Sequence, residues 1–193
     1  MSSLFTIFIS TCLVNNLALN HLLGLPPGIA LSRKIDTGIG LAAAMILVLT
    51  ITAMVTFPVN KLLLIPLDME YLEPAALLLV IALALACLNL CLKQFRPDWH
   101  EVIGVFLPLT FLNSAVMGTA LLVSGHDYGF TGSLFFGLGS GVGYGLVITM
   151  LAAIEERLAA ADIPIPFQGI SIILITLGIM SMAFMGFTGL VTL

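Results

Sequence analysis

The side chains in this sequence that could do chemistry are concentrated in residues 13–27, LVNNLALNHLLGLPP. Two adjacent amides, Asn15 and Asn16, are followed by His21 and by the diproline Pro26-Pro27, in or beside an apolar run over 4–25. Lipid offers no partner for a side-chain amide, so two at one depth must face protein, an ion or water. Such amides can be interhelical hydrogen bonds and nothing more, or they can mark an interrupted helix that lines a site. A second stretch, VIGVFLPLTFLNSAVMGTALLV over 102–123, has the same character. Pro108 removes a backbone donor and kinks or breaks a helix there, and Asn113 and Ser114 follow at mid-depth.

Other reactive residue types have blander readings. Cys87 and Cys91 are four apart and share a helix face. Two thiolates at that spacing could hold a metal, but with no second pair nearby they read, like Cys12, as small apolar fillers. Trp99 reads as an interfacial anchor beside His100 and Glu101. His126 and Asp127 belong to SGHDYG, which looks like a turn. The run FGLGSGVGYG is not a dinucleotide loop, because no strand precedes it and no acidic residue follows at the required distance. Gly137, Gly141 and Gly145 instead make a flat helix face for close packing, and Gly139 and Gly143 make a second.

The elements that must position these residues follow from composition. The chain of 193 residues is 60% hydrophobic and 8% charged, with mean hydropathy +1.20. A soluble domain carries about 25% charged residues, so the solvent here is lipid. Six segments reach the length of about 20 residues that a spanning helix needs: 4–25, 37–57, 74–92, 102–123, 130–154 and 168–193. Together they form one polytopic domain. The N-terminus lacks the basic region of a signal peptide, so the first span is read as retained. No span carries Asp, Glu, Lys or Arg in its middle, which argues against a proton relay built from this chain alone. No basic cluster points to nucleic acid. Arg33, Lys34, Lys93, Arg96 and Arg157 lie in the first, third and fifth loops, and only Lys61 lies on the other side. The positive-inside rule then places both termini outside.

The interrupted spans are the first of each group of three. Three spans per half give the halves opposite orientation, and interrupted helices at matching positions of inverted halves point to a midplane site. The expectation is an all-α membrane protein with a 3+3 inverted repeat, helices one and four being interrupted. Asn15, Asn16, Asn113 and Ser114 should line the space between the repeats.

These residues also carry a family resemblance. LVNN followed by LGL, SRK-x-DT over 32–37, IPLDMEYL, GVFLPLTFLNSAVMG, ERLAAADIPIPFQG and the closing SMAFMGFTGLV together resemble the A component of the Rnf electron-transport complex. That family is similar to the E component of the sodium-translocating NADH:quinone reductase (Nqr). The resemblance spans nearly the whole chain. It implies a multi-pass subunit of the bacterial inner membrane with periplasmic termini, non-catalytic itself, within a complex that couples electron transfer to sodium or proton translocation. It further implies a homologous partner of opposite orientation, flavins on other subunits, and an iron–sulfur cluster shared with the partner.

Each partner in that family supplies two cluster cysteines, one after the LGL motif and one after the mid-helix Asn of span four. The matching positions here are Pro26 and Ser114. Proline cannot ligate iron, and serine is a poor substitute for thiolate. Cys12 lies fourteen residues before Pro26, about 21 Å along a helix, so it does not simply replace the missing ligand. The expectation is a divergent member that holds no cofactor or metal of its own. The alternative is a redox-inactive transport or scaffold protein on the same fold.

Overall fold

The computed structural model describes residues 4–31, 34–67, 70–95, 104, 106–111, 113–126 and 128–189. Trp99, His100, Glu101, Arg33, Arg96, Asp127 and the start of the fourth expected span lie outside them. The described residues are helical throughout, joined by turns and short 3-10 segments.

Two long helices make the centre. α4 (Ile35–Val59) continues as a π-helical turn, Asn60–Leu64, and α8 runs over Phe130–Ala159. Thirty residues of α8 rise about 45 Å, enough to cross hydrocarbon and headgroups together. What lets these helices approach is the glycine series of α8. A Cβ at Gly141 would stand 2.7 Å from Ile46 Cα, and one at Gly137 2.6 Å from Ala53 Cβ, so this face lies against the backbone of α4. On the opposite side, a Cβ at Gly143 would meet Cys12 O at 2.6 Å, and Gly139 approaches Phe8 and Thr11 of the first span. Both flat faces expected from the spacing are therefore occupied, each by a different helix. Larger residues between the glycine faces, Tyr144, Val147, Ile148 and Leu151, are buried against Leu41, Met45 and Leu49 of α4.

Around this pair lie the interrupted spans. The first comprises α1 (Leu4–Ile9) with a π-helical turn (Ser10–Val14), α2 (Leu17–Asn20) and α3 (Leu25–Leu31). The fourth comprises α6 (Leu107–Phe111) and α7 (Ser114–Gly125). At the periphery are α5 (Glu73–Phe95) and α9 (Ile170–Met185). Both leave rows of leucine, isoleucine and methionine exposed, such as Leu79, Leu83, Ile179 and Met182, as suits surfaces solvated by lipid.

Among the described residues, three helices are long and apolar enough to cross a membrane unaided: Ile35–Leu67, Glu73–Gln94 and Phe130–Ala159. Leu4–Val14, Ser114–Gly125 and Ile170–Met185 are shorter apolar helices. Pro26 and Pro27 sit in the first turn of α3, where missing N–H groups cost no helical bond. Several expectations need correction. Pro108 likewise sits in the first turn of α6, and the interruption lies after it, at Asn113. Cys87 is exposed on α5 and is no buried filler, whereas Cys12 is buried as expected. The SGHDYG turn starts later than expected, since α7 runs through Gly125 and His126 Nδ1 contacts the Leu122 carbonyl at 2.8 Å.

Candidate functional site

Both interruptions are built by the same device. Asn16 leaves the helix in an extended conformation (φ −65°, ψ 121°), and its Oδ1 accepts the Ala18 N–H at 3.0 Å. Asn113 does the same (φ −80°, ψ 126°), accepting the Ala115 N–H at 3.0 Å. Asparagine is among the best N-caps because its short carbonyl reaches the first free donor of the new helix. The buried amides Asn16 and Asn113 therefore act first on their own backbone, restarting a helix inside the apolar layer.

A break also strands the carbonyls of the helix before it, which in lipid must find donors. Asparagines supply them in the first span. Ser10 O accepts the Asn15 N–H at 2.6 Å, Cys12 O accepts Asn16 Nδ2 at 2.9 Å, and Val14 O accepts Asn20 Nδ2 at 2.6 Å. Asn15 Nδ2 donates to Ser10 Oγ at 3.1 Å. The π-helical turn Ser10–Val14 closes on the bond from Asn15 N–H to Ser10 O, five residues back, just before the break.

Beyond α2 the chain turns through two left-handed residues, Leu22 (φ 54°) and Gly24 (φ 78°). Here the two interruptions meet. Gly24 N–H donates to Ser114 Oγ at 2.9 Å, and Tyr144 OH donates to Gly24 C=O at 2.8 Å. One peptide of the first span is thus clasped by the start of α7 on one side and by α8 on the other. The clasp leaves no room for a side chain. A Cβ on Gly24 would stand 2.6 Å from Tyr144 Cε2, 2.9 Å from Ala115 Cβ and 3.0 Å from Asn113 Oδ1. Leu23, next to it, lies over Gly118 of α7. Asn113 Nδ2 reaches Met45 Sδ of α4 at 3.5 Å, which ties the second cap to the centre.

Of the residues singled out in the sequence, Asn113 and Ser114 are brought to this junction, while Asn16 caps α2 and lies against Gly143 of α8. Asn15 lies one residue before the first cap and is exposed, as are His21, Pro26 and Ser114. Tyr144 and Gly24 were not singled out, although both carry the clasp. Tyr144 is the one phenol within the glycine series of α8, and a buried phenol in lipid requires a partner. That was the available signal. Below Pro26 is a cavity of about 820 Å³ lined by Ile29, Glu155, Leu158, Gln168 and Ile173 among others.

The donor set does not fit the iron–sulfur cluster that the resemblance implies. Such clusters take thiolates. At the two matching positions stand a ring without a donor atom, Pro26, and a hydroxyl that already accepts the Gly24 N–H, Ser114. Cys12 is buried beside Gly143 in the π-helical turn of the first span, and Cys87 is exposed on another helix. Among the described residues no three His, Cys, Asp or Glu side chains gather into a metal-binding group.

The clasp makes a direct prediction. Tyr144→Phe keeps the ring but removes the donor to Gly24 C=O. The loss should be about 1 kcal/mol, lowering the thermal midpoint in detergent by about 2–4 °C. An unchanged midpoint would mean that the phenol and the carbonyl are not paired.

The chain is similar to known membrane proteins over nearly its whole length. A family profile described as "Rnf-Nqr subunit, membrane protein" matches residues 4–191. Several curated relatives are named as the A component of an ion-translocating oxidoreductase complex. The relative from Psychromonas ingrahamii is 46% identical over 191 residues, covering 99% of this chain and 100% of its own length. That from Pseudoalteromonas translucida is also 46% identical, covering 99% of both chains. A relative from Thioalkalivibrio sulfidiphilus is 45% identical, covering 99% of this chain and 100% of its own.

Proposed function

The chain belongs to the Rnf-Nqr family of membrane subunits, and from that premise we propose that it is a membrane subunit of an ion-translocating oxidoreductase complex. It sits in the bacterial inner membrane with six spans, arranged as a 3+3 inverted repeat with both termini on the periplasmic side. Asn15, Asn16, Asn113 and Ser114 mark the midplane between the repeats. The observation that carries this reading is the pair of asparagine-capped breaks joined at Gly24 by Ser114 and Tyr144. Breaks at matching positions of two halves are the signature of a midplane site in transport folds.

The packing supports the repeat. α1 packs on α8 as α6 and α7 pack on α4, α4 packs on α5 as α8 packs on α9, and α5 touches α6 as α9 touches α2. Exchanging the first three spans with the last three reproduces this pattern. Within the complex the chain pairs with a homologous subunit of opposite orientation, and flavins reside on other subunits. Its own part is the membrane path. With Pro26 and Ser114 at the matching positions it contributes no cluster ligands, and it holds its junction by hydrogen bonds. The engagement of the Ser114 hydroxyl by Gly24 also favours a second reading, a transport or scaffold protein that keeps the fold and has left electron transfer altogether.

Two measurements on one tagged strain test the reading. Affinity purification from membranes should bring down a homologous membrane subunit together with flavin-bearing subunits. A chain that purifies alone supports the scaffold reading instead. Alkaline phosphatase fused after Leu193 should be active, and a fusion active only as a cytoplasmic reporter would overturn the assigned orientation.

A further inference from the structure

The cavity below Pro26 has the depth and the lining of a site for a lipid chain. Three parts of this chain wall it: α3 with Pro26 and Ile29, the end of α8 with Glu155 and Leu158, and α9 with Ile172 and Ile173. Pro26 lies two residues beyond the Gly24 carbonyl that Tyr144 holds. Tyr144 stands at the middle of α8, and Glu155 follows eleven residues later, about 16 Å along the helix. Half of the hydrocarbon layer is about 15 Å. The cavity therefore runs from near the midplane to the polar boundary, aliphatic for most of its length and with a carboxylate at the boundary end.

Size and charge narrow the occupant. The volume of about 820 Å³ falls within the range of small-molecule sites, about 300–1,000 Å³. A neighbouring helix about 10 Å across would need about 1,300 Å³ over the same length, so a helix does not fit. Among the described residues, Glu155 is the one ionisable side chain of the lining, and none of the lining residues is basic. The next residue, Glu156, is turned to the Ile35 N–H at 3.4 Å. The loop before α9 forms the remaining wall. Gln168 Nε2 holds it by donating to Ile163 C=O at 2.8 Å, and nothing lies within 4 Å of the missing Cβ of Gly169.

We propose that this cavity binds an acyl chain of a phospholipid whose headgroup carries an amine, with the tail toward the midplane and the ammonium at Glu155. An anionic headgroup fits less well, because its charge would meet a carboxylate where basic side chains are the usual recognition element. The inference goes beyond the reading of the chain as a complex subunit and needs only that α8 crosses the layer.

The test uses the full chain, purified with whatever subunits accompany it and reconstituted in vesicles. The vesicles carry a small fraction of phosphatidylethanolamine or of phosphatidylglycerol, each with a diazirine on one acyl chain. After irradiation and digestion, the ethanolamine lipid should label peptides containing Ile29 and Ile173 about fivefold more than the glycerol lipid, the ratio expected for one exposed charge pair. Peptides containing Leu83 of α5 should be labelled equally by both. Glu155→Gln should bring the ratio at the cavity to about one without removing the label. Ala159→Trp, which fills the lining from an exposed position, should remove the label there while the Leu83 peptide and the thermal midpoint stay unchanged. A cavity label with no headgroup preference, or one that persists in Ala159→Trp, would mean ordinary boundary lipid and overturn the proposal. A preference that survives Glu155→Gln would overturn the assigned headgroup contact. An unlabelled cavity beside a labelled α5, the result expected if a protein segment fills it, would overturn the proposal as well. These outcomes do not depend on whether flavin-bearing subunits co-purify.

Discussion

Gly24→Ala should be among the most damaging single methyl additions in this protein, costing about 2–5 kcal/mol in a thermal or denaturant melt in detergent. Two effects add. The residue is left-handed at φ 78°, and its new Cβ would lie within 3.0 Å of Tyr144, Ala115 and Asn113. None of these three can yield easily. Tyr144 is held by its hydrogen bond to the same glycine, Asn113 by its capping bond, and the methyl of Ala115 is fixed to the first turn of α7. Gly169 provides the control. It is left-handed too, at φ 74°, but nothing lies within 4 Å of its missing Cβ. Gly169→Ala should therefore cost only the backbone penalty, about 1–2 kcal/mol. Equal losses for the two variants would show that the crowded clasp around Gly24 does not exist.

The second large effect concerns chemistry rather than stability. Replacing Pro26 and Ser114 together by cysteine should raise bound iron and sulfide from background toward stoichiometry when the membrane partner is present. Cysteine-only clusters need four thiolates, and these two positions match the two that this chain would provide. Pro26→Cys or Ser114→Cys alone should do much less, because coordination stays incomplete. Ser114→Cys should also weaken the clasp, since sulfur is a poor acceptor for the Gly24 N–H. A variant with both cysteines and no added iron, in a complex that assembles normally, would show that the two positions do not face a common site.

Much of this was legible in the sequence because lipid makes polarity informative. Paired amides inside an apolar run have few uses, so Asn15–Asn16 and Asn113 announced the interruptions, and the glycine spacing of α8 announced two packed faces. What could not be read was how the amides act. Asn16 and Asn113 could have bonded across helices, and only the backbone angles reveal them as caps. Asn20 drew no attention because its role, donating to Val14 O, depends on where the helix stops. Proline misled once. Pro108 looks like a helix breaker, yet it occupies a first turn, where proline is tolerated, and the break comes after it at Asn113. Tyr144 was hidden by its setting, since a glycine run reads as packing and its hydroxyl finds Gly24 across 120 residues of sequence.

This chain joins its two asparagine-capped breaks by hydrogen bonds at Gly24, with no donor set there for a cluster. The most direct test is iron and sulfide analysis with electron paramagnetic resonance on the unsubstituted complex, purified anaerobically with its membrane partner. The account predicts no cluster between this chain and that partner. Stoichiometric iron and sulfide, with a cluster signal assigned to the pair, would contradict it and return Ser114 and its neighbours to the electron path.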